Sequence, residues 1–250
     1  MHTSDAADVS QPGGDTAHRL SALNRNDRPF HVVLSQQFDR PTIEQLCQLS
    51  DMIRSIASTR QGTQFLRTQL SHRRAMLYFI QPSTRTFLSF TAACQILGMP
   101  HNEVRDRSTS SEVKGESEDD TIRVLSQYFD LIIMRHPAEG FAEHVANMLN
   151  AMPRTIPLMN AGSGKDQHPT QAMLDIYTLL RSLAEPGTKR SAPRYTADLL
   201  AGKTIAFAGD LKRGRTVRSL AYLLCRYSGM RLLFVAPPEL QIGDDIIEYI

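Results

Sequence analysis

Five short segments of this sequence carry residue types suited to binding and polarising an anion. In the first, Gln81-Pro82-Ser83-Thr84-Arg85-Thr86, hydroxyls and an arginine stand where an apolar run ends and a helical stretch begins. The first amides of a helix lack backbone partners and carry the positive end of its dipole, and a guanidinium matches two phosphate oxygens with its planar fork. This corner reads as an anion site, beside the plainer reading of an ordinary capped helix start. Met134-Arg135-His136-Pro137-Ala138-Glu139-Gly140 follows an apolar strand directly, so Arg135 and His136 sit at a strand's carboxyl end, where open α/β sheets place ligands. A third segment, from Asn160 to Gln171, sets Gly162 and Gly164 after a strand and His168 and Gln171 at the next helix start. Glycines there let the backbone approach a ligand. The fourth, Ser108 to Glu116, reads by itself as a solvated polar loop, and the fifth, Ala208 to Thr216, places Gly209 and Gly214 between a strand and a helix.

Two of these segments resemble nucleotide loops and fail the test. Around Gly162 and Gly164 the pattern needs a glycine at Met159 and Ser or Thr at Asp166. In the fifth segment Arg215 replaces the required lysine, and Asp210 would aim a carboxylate into the phosphate cradle. Neither zinc-ligand spacing nor a dinucleotide fingerprint occurs.

The elements that must position these residues alternate. Helical spacing of apolar residues predicts helices over 41–58, 86–97 (closed by Gly98), 117–128, 169–183 and 215–227. Short apolar runs predict strands over 76–80, 131–134, 155–159, 204–208 and 231–235. Such alternation gives an α/β fold, with two domains each built on a parallel sheet flanked by helices, the second truncated. The expected division is a disordered extension over 1–28, a first domain over 29–183, a linker over 184–200 rich in Pro, Gly and Ser, and an incomplete second domain over 201–250.

With 250 residues and 41% hydrophobic content, the chain can bury one large core or two modest ones. Its net charge of +2, with basic residues scattered, is no nucleic-acid footprint. No apolar run reaches the ~20 residues that span a bilayer, and the first residues lack the order of a signal peptide. Cys47, Cys94 and Cys225 are far apart and set among apolar residues, which predicts buried free thiols and a cytoplasmic location.

Taken together, in this order and spacing, the five segments resemble the aspartate and ornithine carbamoyltransferase superfamily from about His31 to the last residue. Ser83-Thr84-Arg85-Thr86 resembles the carbamoyl phosphate motif of the whole superfamily. Arg135-His136-Pro137, His168-Pro169-Thr170-Gln171 and Gly209-Asp210-Leu211-Lys212-x-Gly214-Arg215-Thr216 look like the aspartate branch. The resemblance implies that Ser83, Thr84, Arg85 and Thr86 bind the phosphate, with Arg135 also touching it, and that Thr86, Arg135 and His168 polarise the carbamoyl carbonyl. Gln171 would hold the carbamoyl amide and Arg215 a carboxylate of L-aspartate. Ser110 and Lys114 would reach into the site of a neighbouring subunit in a homotrimer.

The implied reaction moves the carbamoyl group of carbamoyl phosphate to the amine of L-aspartate, in pyrimidine biosynthesis. It proceeds by direct attack through a tetrahedral state, without cofactor or metal. Regulatory or dihydroorotase chains are further partners that the resemblance suggests; nucleic acid and membrane are not. This sequence departs from the family at Gln81, where a Glu that helps pair the domains is usual, at Phe87 and Thr91, which replace an Arg and a Glu, and at Val113 beside Lys114. The resemblance also implies that the chain stops at Ile250 short of a later arginine loop and a His-Pro-Leu-Pro segment, leaving an exposed apolar sheet edge. Two other readings fit: a noncatalytic trimeric scaffold or regulatory paralogue, favoured by Gln81 and the truncation, and a transcarbamoylase for another amine such as ornithine, opposed by Arg215.

Overall fold

The computed structural model describes residues 12–106, 116–164, 167–184, 195 and 199–250. Helix α1 (Pro12–Leu23) opens the described chain and leads into a short antiparallel pair, β1 (Asn24–Arg25) and β2 (Arg28–Pro29). The expectation of disorder over 1–28 is therefore corrected for 12–28. Leu23 is fully buried, Arg19 gives Nε and Nη2 to the Glu143 carboxylate at 2.8 and 2.7 Å, and the Ala22 carbonyl accepts from the Asn150 amide at 2.6 Å. One buried leucine and two long-range polar contacts order the segment, which its polar composition alone does not reveal.

Helix α2 (Arg40–Ala57) starts at Asp39, whose carboxylate accepts from the Thr42 amide at 2.9 Å, and is followed by α3 (Arg60–Leu66). The first sheet is built from β3 (Ala75–Phe79), β4 (His101–Val104), β5 (Leu131–His136) and β6 (Leu158–Ser163), in the order β4-β3-β5-β6 and parallel throughout. β3 is buried at every position, as its unbroken apolar run requires when both faces are covered. Helices α4 (Thr84–Leu97), α5 (Glu118–Tyr128) and α6 (Phe141–Asn150) connect these strands. Gly98 ends α4 in the left-handed conformation at φ +72°. The outer edge of β6 carries one further bridge, in which the Val32 amide donates to Leu158 O and the Asn160 amide to Val32 O, both at 2.8 Å.

After β6 the chain enters α7 (Pro169–Leu183), and beyond residue 199 it forms a second parallel sheet of β7 (Thr204–Ala208) and β8 (Arg231–Val235). Helix α8 (Arg215–Leu224) joins these two strands and α9 (Asp244–Tyr249) follows them. Leu233 and Val235 of β8 are exposed. One apolar core runs through α2, α7, α8 and β7, from Ile43 and Ile176 to Leu220 and Phe207, so the two sheet units share buried surface. Asp51 of α2 fastens the same region. Its buried carboxylate accepts from the hydroxyls of Tyr177 and Tyr195 and pairs with Arg181. Most of the linker expected over 184–200 lies outside the described residues, but Tyr195 and Leu200 are buried.

Candidate active site

The strand ends supply the first cation. Phe79 of β3 lies beside Arg135 of β5, while the β5–β6 register slips between Met134 and His136. Irregularities of this kind re-aim the side chain they carry. Here Arg135 points at β6, where Nη1 donates to Ala161 O at 3.0 Å. Its Nε is buried and has no hydrogen-bond partner among the described residues. The side chain of the neighbouring His136 turns to other partners. Its Nε2 lies 3.2 Å from Glu118, its Nδ1 accepts from the Ala138 amide at 3.1 Å, and its ring stacks on Phe141.

Gly162 is the point on which three side chains close. A Cβ there would lie 2.6 Å from Arg135 Nη1, 3.3 Å from His168 Cδ2 and 3.4 Å from Arg215 Nη1. Its φ of +109° is also backbone that side chains rarely adopt. The position is held by Asn160, whose side-chain oxygen accepts from the Gly162 amide at 2.8 Å.

His168 caps α7. Its Nδ1 accepts from the Gln171 amide at 3.4 Å and lies 3.2 Å from the Thr170 hydroxyl. A neutral imidazole that accepts at Nδ1 carries its proton on Nε2. That Nε2 is buried without a partner among the described residues, so it is a donor held ready for an acceptor. Burial, and then the charges of Arg135 and Arg215, push the His168 pKa down to about 4, which keeps the ring neutral near pH 7. The His168 amide donates to Ser219 Oγ at 2.9 Å, tying this cap to α8.

Arg215, the first residue of α8, reaches back to the first sheet. Its Nη1 donates to Gly164 O at 2.9 Å and to Gln81 Oε1 at 3.1 Å. Burial lowers the pKa of both arginines, Arg135 to about 10 with Arg215 as the second cause, and both remain cations at neutral pH. Gln81 also joins the corner to β5, since its amide donates to Arg135 O at 3.2 Å. Ser83 is the N-cap of α4 yet makes no side-chain capping bond, so the first amides of that helix are not taken up by their own cap. The hydroxyls of Ser83, Thr84 and Thr86 and the exposed Arg85 make no hydrogen bond or ion pair among the described residues. Gln171 donates Nε2 to Asp175 at 2.9 Å, which leaves its carbonyl oxygen to accept.

The structure thus gathers Arg135, His168 and Arg215 around Gly162 and links them to the 83–86 corner through Gln81. Two guanidiniums and a neutral N–H donor form a centre suited to an anion and to a carbonyl oxygen that gains charge. Ser110 and Lys114 lie outside the described residues. Asp210 accepts from the Arg213 amide at 3.1 Å in a local turn. Ser219 and Asn160 were missed by sequence reasoning, and no sequence signal marks them, because both act by holding backbone.

Residues 31–181 match the family described as aspartate/ornithine carbamoyltransferase, carbamoyl-P binding domain. The chain is 39% identical over 220 residues to aspartate carbamoyltransferase 1, chloroplastic, of Pisum sativum, a match covering 88% of this chain and 51% of that protein. It is 44% identical over 170 residues to the aspartate carbamoyltransferase catalytic subunit of Methanocaldococcus jannaschii, covering 68% of this chain and 49% of the relative. Its fold matches the crystal structure of aspartate transcarbamoylase from Trypanosoma cruzi in complex with carbamoyl phosphate and aspartate, with TM-score 0.74, 34% identity, and coverage of 89% of this chain and 62% of that one. The chain spans about half the length of the curated relatives it matches.

Proposed function

The chain belongs to the aspartate/ornithine carbamoyltransferase family, and from that premise we propose that it carries the carbamoyl phosphate side of an aspartate carbamoyltransferase. The phosphate rests on Ser83, Thr84, Arg85 and Thr86, the carbonyl oxygen faces Arg135 and His168, Gln171 accepts from the carbamoyl amide, and Arg215 meets a carboxylate of L-aspartate. What supports this reading is the convergence on Gly162 of Arg135 and His168, each with a buried nitrogen donor, Nε and Nε2, that has no partner among the described residues.

The chemistry follows from that pair. The aspartate amine forms a bond to the carbamoyl carbon, and the carbonyl electrons move onto oxygen, where the Nε2–H of His168, the Arg135 guanidinium and the Thr86 hydroxyl hold the charge. As the tetrahedral state collapses, the C–O bond to phosphate breaks, phosphate departs among the cations, and the amine's proton leaves with it. With its pKa near 4, His168 acts as a hydrogen-bond donor rather than a base. Fixed donors of this kind act where charge develops and need no reorganisation.

A homotrimer, with Ser110 and Lys114 crossing to a neighbour's site, and a place in pyrimidine synthesis come with the same reading. A cytoplasmic location is supported by three free cysteines; among the described residues no helix is long and apolar enough to cross a membrane. Arg85→Ala should weaken phosphate and carbamoyl phosphate binding by about 1.5–3 kcal/mol, the cost of a lost hydrogen bond to a charged group. Unchanged affinities by calorimetry would remove the corner from the site. In the whole protein, carbamoylation of L-aspartate but not L-ornithine is the expected turnover, and binding of carbamoyl phosphate by that protein without turnover of either amine would favour the scaffold reading. For subunit sharing, Lys114→Ala and His168→Ala chains should regain activity only when mixed into hybrid trimers.

A further inference from the structure

Arg105 follows directly on β4, at the same sheet edge from which β3 and β5 deliver Gln81 and Arg135. One step beyond the pairing of Tyr78 with Val104 it comes level with Phe79, and on the other side of β3 Phe79 is level with Arg135. Side chains at one level of a parallel sheet share a face, and neighbouring strands lie about 4.8 Å apart, so the two arginines start about 10 Å apart on either side of β3. That face is the one α4 covers. Leu77 and Phe79 pack there with Phe87 and Cys94, whereas Val104 packs into the opposite core. The chain leaves β3 into the 83–86 corner, which therefore has Arg135 on one side and Arg105 on the other.

The Arg105 guanidinium is held by an aromatic ring. Its Cζ lies 4.5 Å from the centroid of Phe87, and that ring, 7% exposed, is fixed edge-on against Phe79 at 5.4 Å. Phe87 lies in the first turn of α4, immediately after the corner. Exposed Arg105 makes no hydrogen bond or ion pair among the described residues. Other arginines of the same sheet unit are paired, Arg73 and Arg154 with Asp130 and Arg123 with Asp120. A guanidinium engaged through its face keeps the N–H donors of its edge, and a side chain already restrained gives up less entropy when it binds.

We propose that Arg105 is a further phosphate-binding residue of this chain, closing the 83–86 corner from the β4 side as Arg135 closes it from the β5 side. The proposal rests on that corner being the phosphate site. A phosphate carries oxygens on every side and up to two negative charges, so two guanidiniums that approach from opposite flanks each find oxygens to hold. Arg105 stands across β3 from the arginine centre at Gly162, so it serves the phosphate and not the carbonyl.

Calorimetry with inorganic phosphate on the parent chain, Arg105→Gln, Arg105→Lys and Arg85→Ala tests this, with thermal unfolding to establish that each variant is folded. Arg105→Gln should weaken phosphate by about tenfold, the effect of one lost hydrogen bond to a charged group, and Arg105→Lys, which keeps the charge without the planar fork, should fall between it and the parent. The ratio between parent and Arg105→Gln should persist in about 0.5 M KCl, where charges more than about 4 Å apart are screened. Parent affinity in folded Arg105→Gln, with affinity lost in Arg85→Ala, would overturn the proposal and leave Arg105 as a cover for the Phe87 ring. A loss that disappears in salt would also overturn it, reducing Arg105 to a distant charge. If neither Arg105→Gln nor Arg85→Ala loses affinity, the corner is not the phosphate site and both readings fall together.

Discussion

Arg215 donates to the side-chain oxygen of Gln81 at 3.1 Å, so a residue of the second sheet unit closes directly onto the anion-binding corner of the first. With an amide at that position, no carboxylate pairs with Arg215 among the described residues, and its charge helps hold the His168 pKa down. Gln81→Glu should reverse both effects. The new carboxylate should raise the His168 pKa, followed by NMR titration, and weaken phosphate binding by about 1–3 kcal/mol for a like charge at an effective dielectric of about 20. An unmoved His168 titration would separate Gln81 from the electrostatics of the site.

Gly162→Ala should damage both fold and site. Strain at a positive φ costs about 1–3 kcal/mol, and the added Cβ at 2.6 Å from Arg135 Nη1 must displace the guanidinium. A lowered melting temperature together with weakened phosphate binding is expected. Full phosphate affinity in a folded Gly162→Ala chain would show that Arg135 does not serve the anion.

The stability of the protein should fall in mild acid for a reason seated in two buried histidines. His31 has its Nε2 3.1 Å from Asn150 Oδ1, and its Nδ1 accepts from the Leu158 amide at 3.1 Å; burial lowers its pKa to about 4, as it does for His168. Because each folded-state value lies below the unfolded 6.5, the unfolded chain takes up the proton first as pH falls. The stability tied to these rings is complete above about pH 6.5 and lost between there and about pH 4. At about 1.4 kcal/mol per pH unit this amounts to about 3 kcal/mol for each ring. His31→Gln should start less stable at pH 7 yet lose less on going to pH 4.5 in urea unfolding. Equal losses in parent and variant would put the acid sensitivity elsewhere.

Much of this arrangement was legible in the sequence, in particular the strands over 204–208 and 231–235, the helix over 169–183, and the three residues that meet at Gly162. What escaped did so for physical reasons. The run Thr155-Ile156-Pro157-Leu158 reads as a strand, but Pro157 has no amide to give, and the true strand Leu158–Ser163 carries polar Asn160 and Ser163, with Asn160 held by Val32 and Val33, long-range contacts that periodicity cannot report. β4 escaped because His101-Asn102-Glu103-Val104 has no apolar alternation and is ordered by its ladder with β3. The ordering of α1 depends on Glu143 and Asn150, more than a hundred positions away.

The central claim is that a neutral His168 and Arg135 polarise a carbonyl while the 83–86 corner holds the phosphate. The most direct measurement is the carbonyl resonance of the methylene phosphonate isostere of carbamoyl phosphate, labelled with 13C and bound at saturation. Bound to the parent chain it should move downfield. His168→Ala should lose most of that shift with little change in affinity, whereas Arg85→Ala should lose affinity and keep the shift. A carbonyl resonance that stays at its free value in the parent chain, or that moves equally in parent and His168→Ala, would contradict the account.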